Sequence, residues 1–240
     1  MRAEWTKVRT LPSSVWLLVG TVAATVAVSA ISISTLGCPV AATCTEDIPK
    51  MSLIGVRLGQ ILVAVFAALA ITNEYGTSMI QTTLLTRPRR LRVVASKLVV
   101  VTLITLVTAA IAVAISLAIT GMVLPGHGVS VRASLGSVLY LGLIAILGFG
   151  IGLIVRDTAA AITTVFALLF ISPMASMFIN HPVWHYRLEK FAPMAAGLAI
   201  QTTQGLPALP VQPWTGLGIF ACYSLVSVLF GAAVFQLRDA

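Results

Sequence analysis

Read from its first residue, the chain alternates long apolar runs with short polar breaks, and the length of each run decides what it can form. A run of about 20 residues crosses a hydrocarbon core roughly 30 Å thick as a helix. Six runs meet that requirement: residues 15–36, 53–72, 93–120, 133–155, 159–179 and 214–235. A further run, FAPMAAGLAI at 191–200, is too short to cross and suits a re-entrant or interfacial segment. Within and beside it Leu188, Phe191, Ala195 and Leu198 fall at helical spacing on one face. The opening MRAEWTKVRTLPSS sets Trp5, Val8 and Leu11 three apart against charged neighbours, the pattern of a helix lying in the membrane interface. This head and the first run together resemble a secretory signal. The run is longer than a signal core of about 7–15 residues, so it reads as an uncleaved first span.

Local residues refine the spans. Arg57 stands near one end of the second, where a long side chain can reach back to the headgroups. Gly148 and Gly152, one turn apart, would let a neighbouring helix come close to the fourth. Asp157 is placed to cap the fifth, and Pro173 is placed to kink it. Cys222, deep in the last run, reads as a small core residue.

Composition then fixes the class. Hydrophobic residues make up 58% of the chain and charged residues 9%, against about 25% charged in an ordinary soluble domain. Mean hydropathy is +1.02. The expected fold is an all-α membrane protein in a single transmembrane domain. The net charge of +8 does not point to nucleic acid, because the cations stand in short loops beside apolar runs. Arg2, Lys7, Arg9, the central group Arg87, Arg89, Arg90, Arg92 and Lys97, then Arg156 and Arg238 fall on the side of the termini. Only Lys50, Arg57, Arg132, Arg187 and Lys190 fall opposite. That imbalance predicts cytoplasmic amino and carboxyl termini.

The chemistry that is missing narrows the function. None of the six runs carries an ionisable group near mid-depth, where proton- or sodium-coupled transporters place acids or histidines. His127, His181 and His185 all fall in loops opposite the termini, leaving no catalytic constellation and no metal-binding helix motif. There is no GxxxxGK[ST] phosphate loop, so nucleotide-driven work requires a second polypeptide. Cys38 and Cys44, five residues apart in a polar loop on the outer side, are either a disulfide favoured by that compartment or two unpaired thiols.

The polar stretch from Asn73 to Lys97 carries a family resemblance. EYGTSMIQTTLLTRPRR, placed after the second span, resembles the first cytoplasmic connection of ABC-2 type (type V exporter) permeases. GFGIGLIVRDTAAA is similar to the inner end of their fourth span and the turn after it; EWTKVRT and the closing RDA are similar to actinobacterial members. The resemblance implies the permease subunit of an ATP-driven exporter in a bacterial cell membrane. This chain would have no catalytic residue and no bound cofactor of its own. ATP and Mg would sit on separate nucleotide-binding ATPase subunits, and a second six-span half, identical or different, would complete the unit. It also implies a connecting helix at the amino terminus and a coupling helix within Asn73–Leu85, with Glu74, Tyr75, Met79, Ile80 and Leu84 facing the ATPase. Arg156 and Asp157 would form a smaller contact, and the run at 191–200 would occupy the place of re-entrant helices.

The cargo expected from the spans is amphipathic or apolar, since they offer hydroxyls, Met and aromatics without mid-membrane charge. Thr102, Thr105, Thr108, Met174 and Phe178 are candidates to line its path, with helix packing as the alternative role. Two other functions stay in view: a membrane immunity or scaffold protein without turnover, and an intramembrane enzyme, which the absent catalytic groups disfavour.

Overall fold

The computed structural model describes residues 12–35, 46–76, 90–125, 129–178 and 181–238. The chain order is α1 (Pro12–Ser34), α2 (Ile48–Ser52), α3 (Val56–Gly76), α4 (Arg90–Val123), α5 (Val131–Val155), α6 (Thr158–Phe178), α7 (Pro182–Phe191), α8 (Pro193–Leu198) and α9 (Pro213–Arg238). Two 3-10 turns, Ala199–Gln201 and Leu206–Ala208, stand between the last two helices. Among the described residues there is no strand, and six helical stretches are long and apolar enough to cross a membrane. This is a multi-pass, all-helical membrane architecture.

The six stretches match the expected spans with extensions at their ends. The largest departure is α4, whose 34 residues make a rod about 51 Å long, well beyond a hydrocarbon core of roughly 30 Å. It begins at Arg90, inside the basic stretch, so that Lys97 lies two turns within a helix and is buried. Lys97 thus lies in the third span, as the run 93–120 predicts, although it closes the polar stretch. Helix α6 continues through Pro173 to Phe178. Cys222 corrects the sequence reading: it is exposed on α9 and takes no part in the core.

Helix α5 is the centre of the bundle. Two thirds of its spanning window is buried, against about a fifth for α1, α6 and α9. Helix α3 is the next most enclosed. Lipid tails are as apolar as leucine, so these helices are held by close packing of small residues rather than by exclusion of water. A Cβ added at Gly152 would lie 2.4 Å from Ile71 on α3, and one at Gly55 would lie 1.9 Å from the carbonyl oxygen of Thr25 on α1. No side chain fits at either place. A Cβ at Gly148 would lie 3.1 Å from the Ala64 carbonyl oxygen, a tight approach to α3 as the glycine spacing on the fourth span predicts. On the facing side of α1, Thr21, Thr25 and Ser29 are buried one turn apart, and Ser29 Oγ accepts a hydrogen bond from the N–H of Gly55.

The bundle has two unlike ends. The loop end carries α2, the start of α5 and the long segment from α7 to the start of α9. At the turn end, α5 and α6 are joined by only Arg156 and Asp157, beside the close of α3.

Candidate functional site

At the loop end the chain folds back on itself between α6 and α9. Pro182 and Pro193 each open a short helix, where the missing N–H of proline costs nothing. Between them Ala192 is extended, at φ −60° and ψ 122°, because the residue before a proline is pushed out of the helical region. The continuous face predicted through Leu188, Phe191, Ala195 and Leu198 is therefore broken. Phe191 is exposed on α7, whereas Leu198 is buried on α8.

Helix α8 and its 3-10 continuation sink into the bundle. Pro193, Met194, Ala196, Gly197, Leu198, Ile200 and Gln201 are all buried. Two glycines make room: a Cβ at Gly197 would meet the Tyr140 ring at 2.3 Å, and one at Gly136 would meet Ile200 at 2.0 Å. Tyr140 is fully buried with its ring centroid 5.1 Å from that of Phe220.

Buried polar groups then fasten this segment. The Tyr140 hydroxyl donates to Gln60 Oε1, and the Gln60 amide donates to Met194 Sδ at 3.5 Å. Gln201 Nε2 donates to Ser137 Oγ at 3.0 Å and to the Leu53 carbonyl at 3.3 Å. Each amide meets its partners inside the protein, as low-dielectric burial requires. None of Gln60, Tyr140, Ser137 and Gln201 is singled out by the sequence reading. The available signal was a glutamine standing inside, or directly after, an otherwise apolar run.

Nearer the rim, Asp47 closes a clasp. Its carboxylate accepts from the Thr203 N–H at 2.5 Å, the Thr203 hydroxyl at 2.6 Å, the Gln204 N–H at 2.9 Å and the Lys50 N–H at 3.2 Å. Partial burial pushes the Asp47 pKa upward, but these hydrogen bonds outweigh it and hold the carboxyl below its ordinary value. Arg132 Nη2 donates to the Thr202 carbonyl at 2.6 Å. Between this clasped segment and the start of α3 lies a cavity of about 300 Å³, lined by Lys50, Arg57, Glu189, Met194, Thr202 and Val211 among others.

At the turn end, Asp157 caps α6 as the sequence predicts, its Oδ1 accepting from the N–H of Ala160 at 2.8 Å. Arg156 adopts the left-handed conformation, φ 62°, and ends α5 with its N–H on the Gly152 carbonyl. The Thr158 hydroxyl donates to the Thr72 hydroxyl at 2.8 Å, and that group donates to the Ala68 carbonyl at 3.0 Å. The turn is thereby fixed to α3 two residues before Glu74. Asn73, Glu74, Tyr75 and Gly76 form the last turn of α3. Met79, Ile80, Leu84, Cys38 and Cys44, like the amino-terminal head, lie outside the described residues.

The residues suggested for a cargo path are not brought together. Thr105 is fully buried, and its hydroxyl, like that of Thr108, is returned to a carbonyl of its own helix four residues back. Thr102 is half-buried on the same helix, while Met174 and Phe178 stand exposed on α6. Comparison of the chain with family models and with curated proteins finds no match.

Proposed function

We propose that this chain is the permease subunit of an ATP-driven ABC-2 type exporter. In this reading it resides in a bacterial plasma membrane with both termini in the cytoplasm, and two six-span halves enclose the route for an amphipathic or apolar cargo. ATP and Mg are held by separate nucleotide-binding subunits docked at the turn end. The segment from α7 to Gln201 is the re-entrant part of the outer leaflet.

The observation that supports the reading most directly is the Thr158–Thr72 joint. It ties the Arg156–Asp157 turn to the end of α3, where the Asn73–Leu85 stretch begins. A push applied there would reach α3, α5 and α6 together. The glycine contacts of α5 with α3 would carry it along the bundle without loss to soft side chains.

The experiment is affinity purification of the tagged chain from its own cells in mild detergent, followed by mass analysis of the intact complex. Two six-span halves with two ATPase subunits are expected. A stable chain that carries no nucleotide-binding subunit, in a strain where the neighbouring genes are expressed, would favour an immunity or scaffold protein instead.

A further inference from the structure

We infer that the cavity at the loop end is a binding site for the anionic headgroup of an amphiphile, with the chains of that molecule lying along the outside of α6. Two cations, Lys50 and Arg57, and one carboxylate, Glu189, share its wall. Apart from Thr202 the remaining lining residues are apolar, including Pro173, Met194 and Val211. The other nearby carboxylate, Asp47, is occupied by the hydrogen bonds of Thr203 and Gln204. It keeps its negative charge but is not part of the lining. A further cation, Arg132, stands behind Thr202 on its carbonyl. Among the lining residues two cations stand against one carboxylate, a balance that suits an anion over a metal ion or an ammonium ligand.

Size and surroundings choose between a free anion and an amphiphile. At about 300 Å³ the cavity is at the bottom of the range for small-molecule pockets, roughly 300–1,000 Å³, so it holds a headgroup and little more. Its wall at Pro173 belongs to α6, which exposes Ile171, Met174 and Phe178. Exposure of apolar side chains is ordinary on a membrane span. Here the helix that walls the cationic cavity also carries an apolar strip on its outer side, and that pairing of a charged recess with an apolar strip matches the two halves of an amphiphile. A small inorganic anion would use the recess and leave the strip unused.

This inference goes beyond the exporter reading and is tested without an ATPase, so failure of one leaves the other standing. The purified full chain in detergent is titrated with dimyristoyl phosphatidylglycerol, with the zwitterionic phosphatidylcholine of equal chain length, and with glycerol 3-phosphate, and bound species are counted by native mass spectrometry. Phosphatidylglycerol should bind well above the other two. Since a basic residue beside an anionic lipid contributes about fivefold in affinity, the Lys50→Gln/Arg57→Gln chain should bind it roughly 25-fold more weakly. Arg92→Gln, at the opposite end of the bundle, should not change it. Glu189→Gln should tighten binding about fivefold by removing the opposing charge, and this arm decides the matter if the double variant loses its helical content. Equal binding of phosphatidylglycerol and phosphatidylcholine, unaltered binding in the double variant, or weaker binding in Glu189→Gln would each overturn the site. Glycerol 3-phosphate binding as tightly as the lipid would overturn the amphiphile.

Discussion

The Asp47 carboxylate accepts four hydrogen bonds, and its position makes the loop-end clasp sensitive to acid. Its folded pKa lies below the unfolded value of about 3.9, so the carboxylate form stabilises the fold. That contribution is complete above the unfolded pKa and is lost as pH falls through the lowered folded value. Thermal unfolding of the wild-type chain and of Asp47→Asn, measured from pH 6 to pH 3, should show a constant gap of roughly 2 kcal/mol above pH ~4.5, set by hydrogen bonds to a charged group. The gap should close below about pH 4; a gap that widens on acidification would contradict the clasp. Deeper in the bundle, Tyr140→Phe should leave Gln60 Oε1 without its donor and cost about 1–3 kcal/mol in the same measurement. These residues were poorly legible in the sequence because a buried amide and a loop amide look alike until their partners are known. Gln201 finds its partners 64 and 148 positions away, on Ser137 and Leu53.

At the scale of elements, legibility divides between features set by neighbours in the chain and features set by other helices. Asp157 as a cap and the glycine pair on the fourth span were readable, since each follows from spacing within one or two turns. The break at Ala192 was readable in principle, since the proline after it forbids a continuous helix, yet apolar spacing across it suggested one face. What spacing does not contain is the depth to which α8 sinks, which depends on Gly136 and Gly197 being small where Ile200 and Tyr140 need room. A methyl at Gly197 meets a ring that is itself fully buried and has nowhere to move. Gly197→Ala should therefore lower stability by about 1–3 kcal/mol. Gly218→Ala, at an open position on α9, should not. Equal melting temperatures for the two variants would mean that α8 yields, and that its seat against α5 is looser than the packing indicates.

Across the whole molecule, the number of spans was written in run lengths, but the centrality of α5 was not, because every span is apolar on all sides and periodicity carries no sign of which face meets protein. The same blindness hid the turn-end joint, where Thr158 and Thr72 meet across 86 positions. That joint gives the exporter reading its sharpest test, because it holds the end of α3 two residues before Glu74. Glu74 lies in the last turn of α3, a turn that holds no basic residue. By its position in the chain, an acidic residue in a helix's last turn has the unfavourable sign for the macrodipole, which costs a helix about 0.3–1 kcal/mol. For the fold alone, a lysine at this position is the better residue. Glu74→Lys should then insert normally and melt at the same temperature as the wild-type chain or slightly above it. If Glu74 meets an ATPase subunit, the same substitution should release that subunit during purification, or leave hydrolysis running without export. Stability and coupling would thus move in opposite directions, which neither a misfolded variant nor a simple water-facing loop produces. Melting, co-purified ATPase and cargo-stimulated hydrolysis, measured on one preparation, separate the cases. A Glu74→Lys complex that keeps its ATPase and its export rate would show that the coupling contact lies elsewhere.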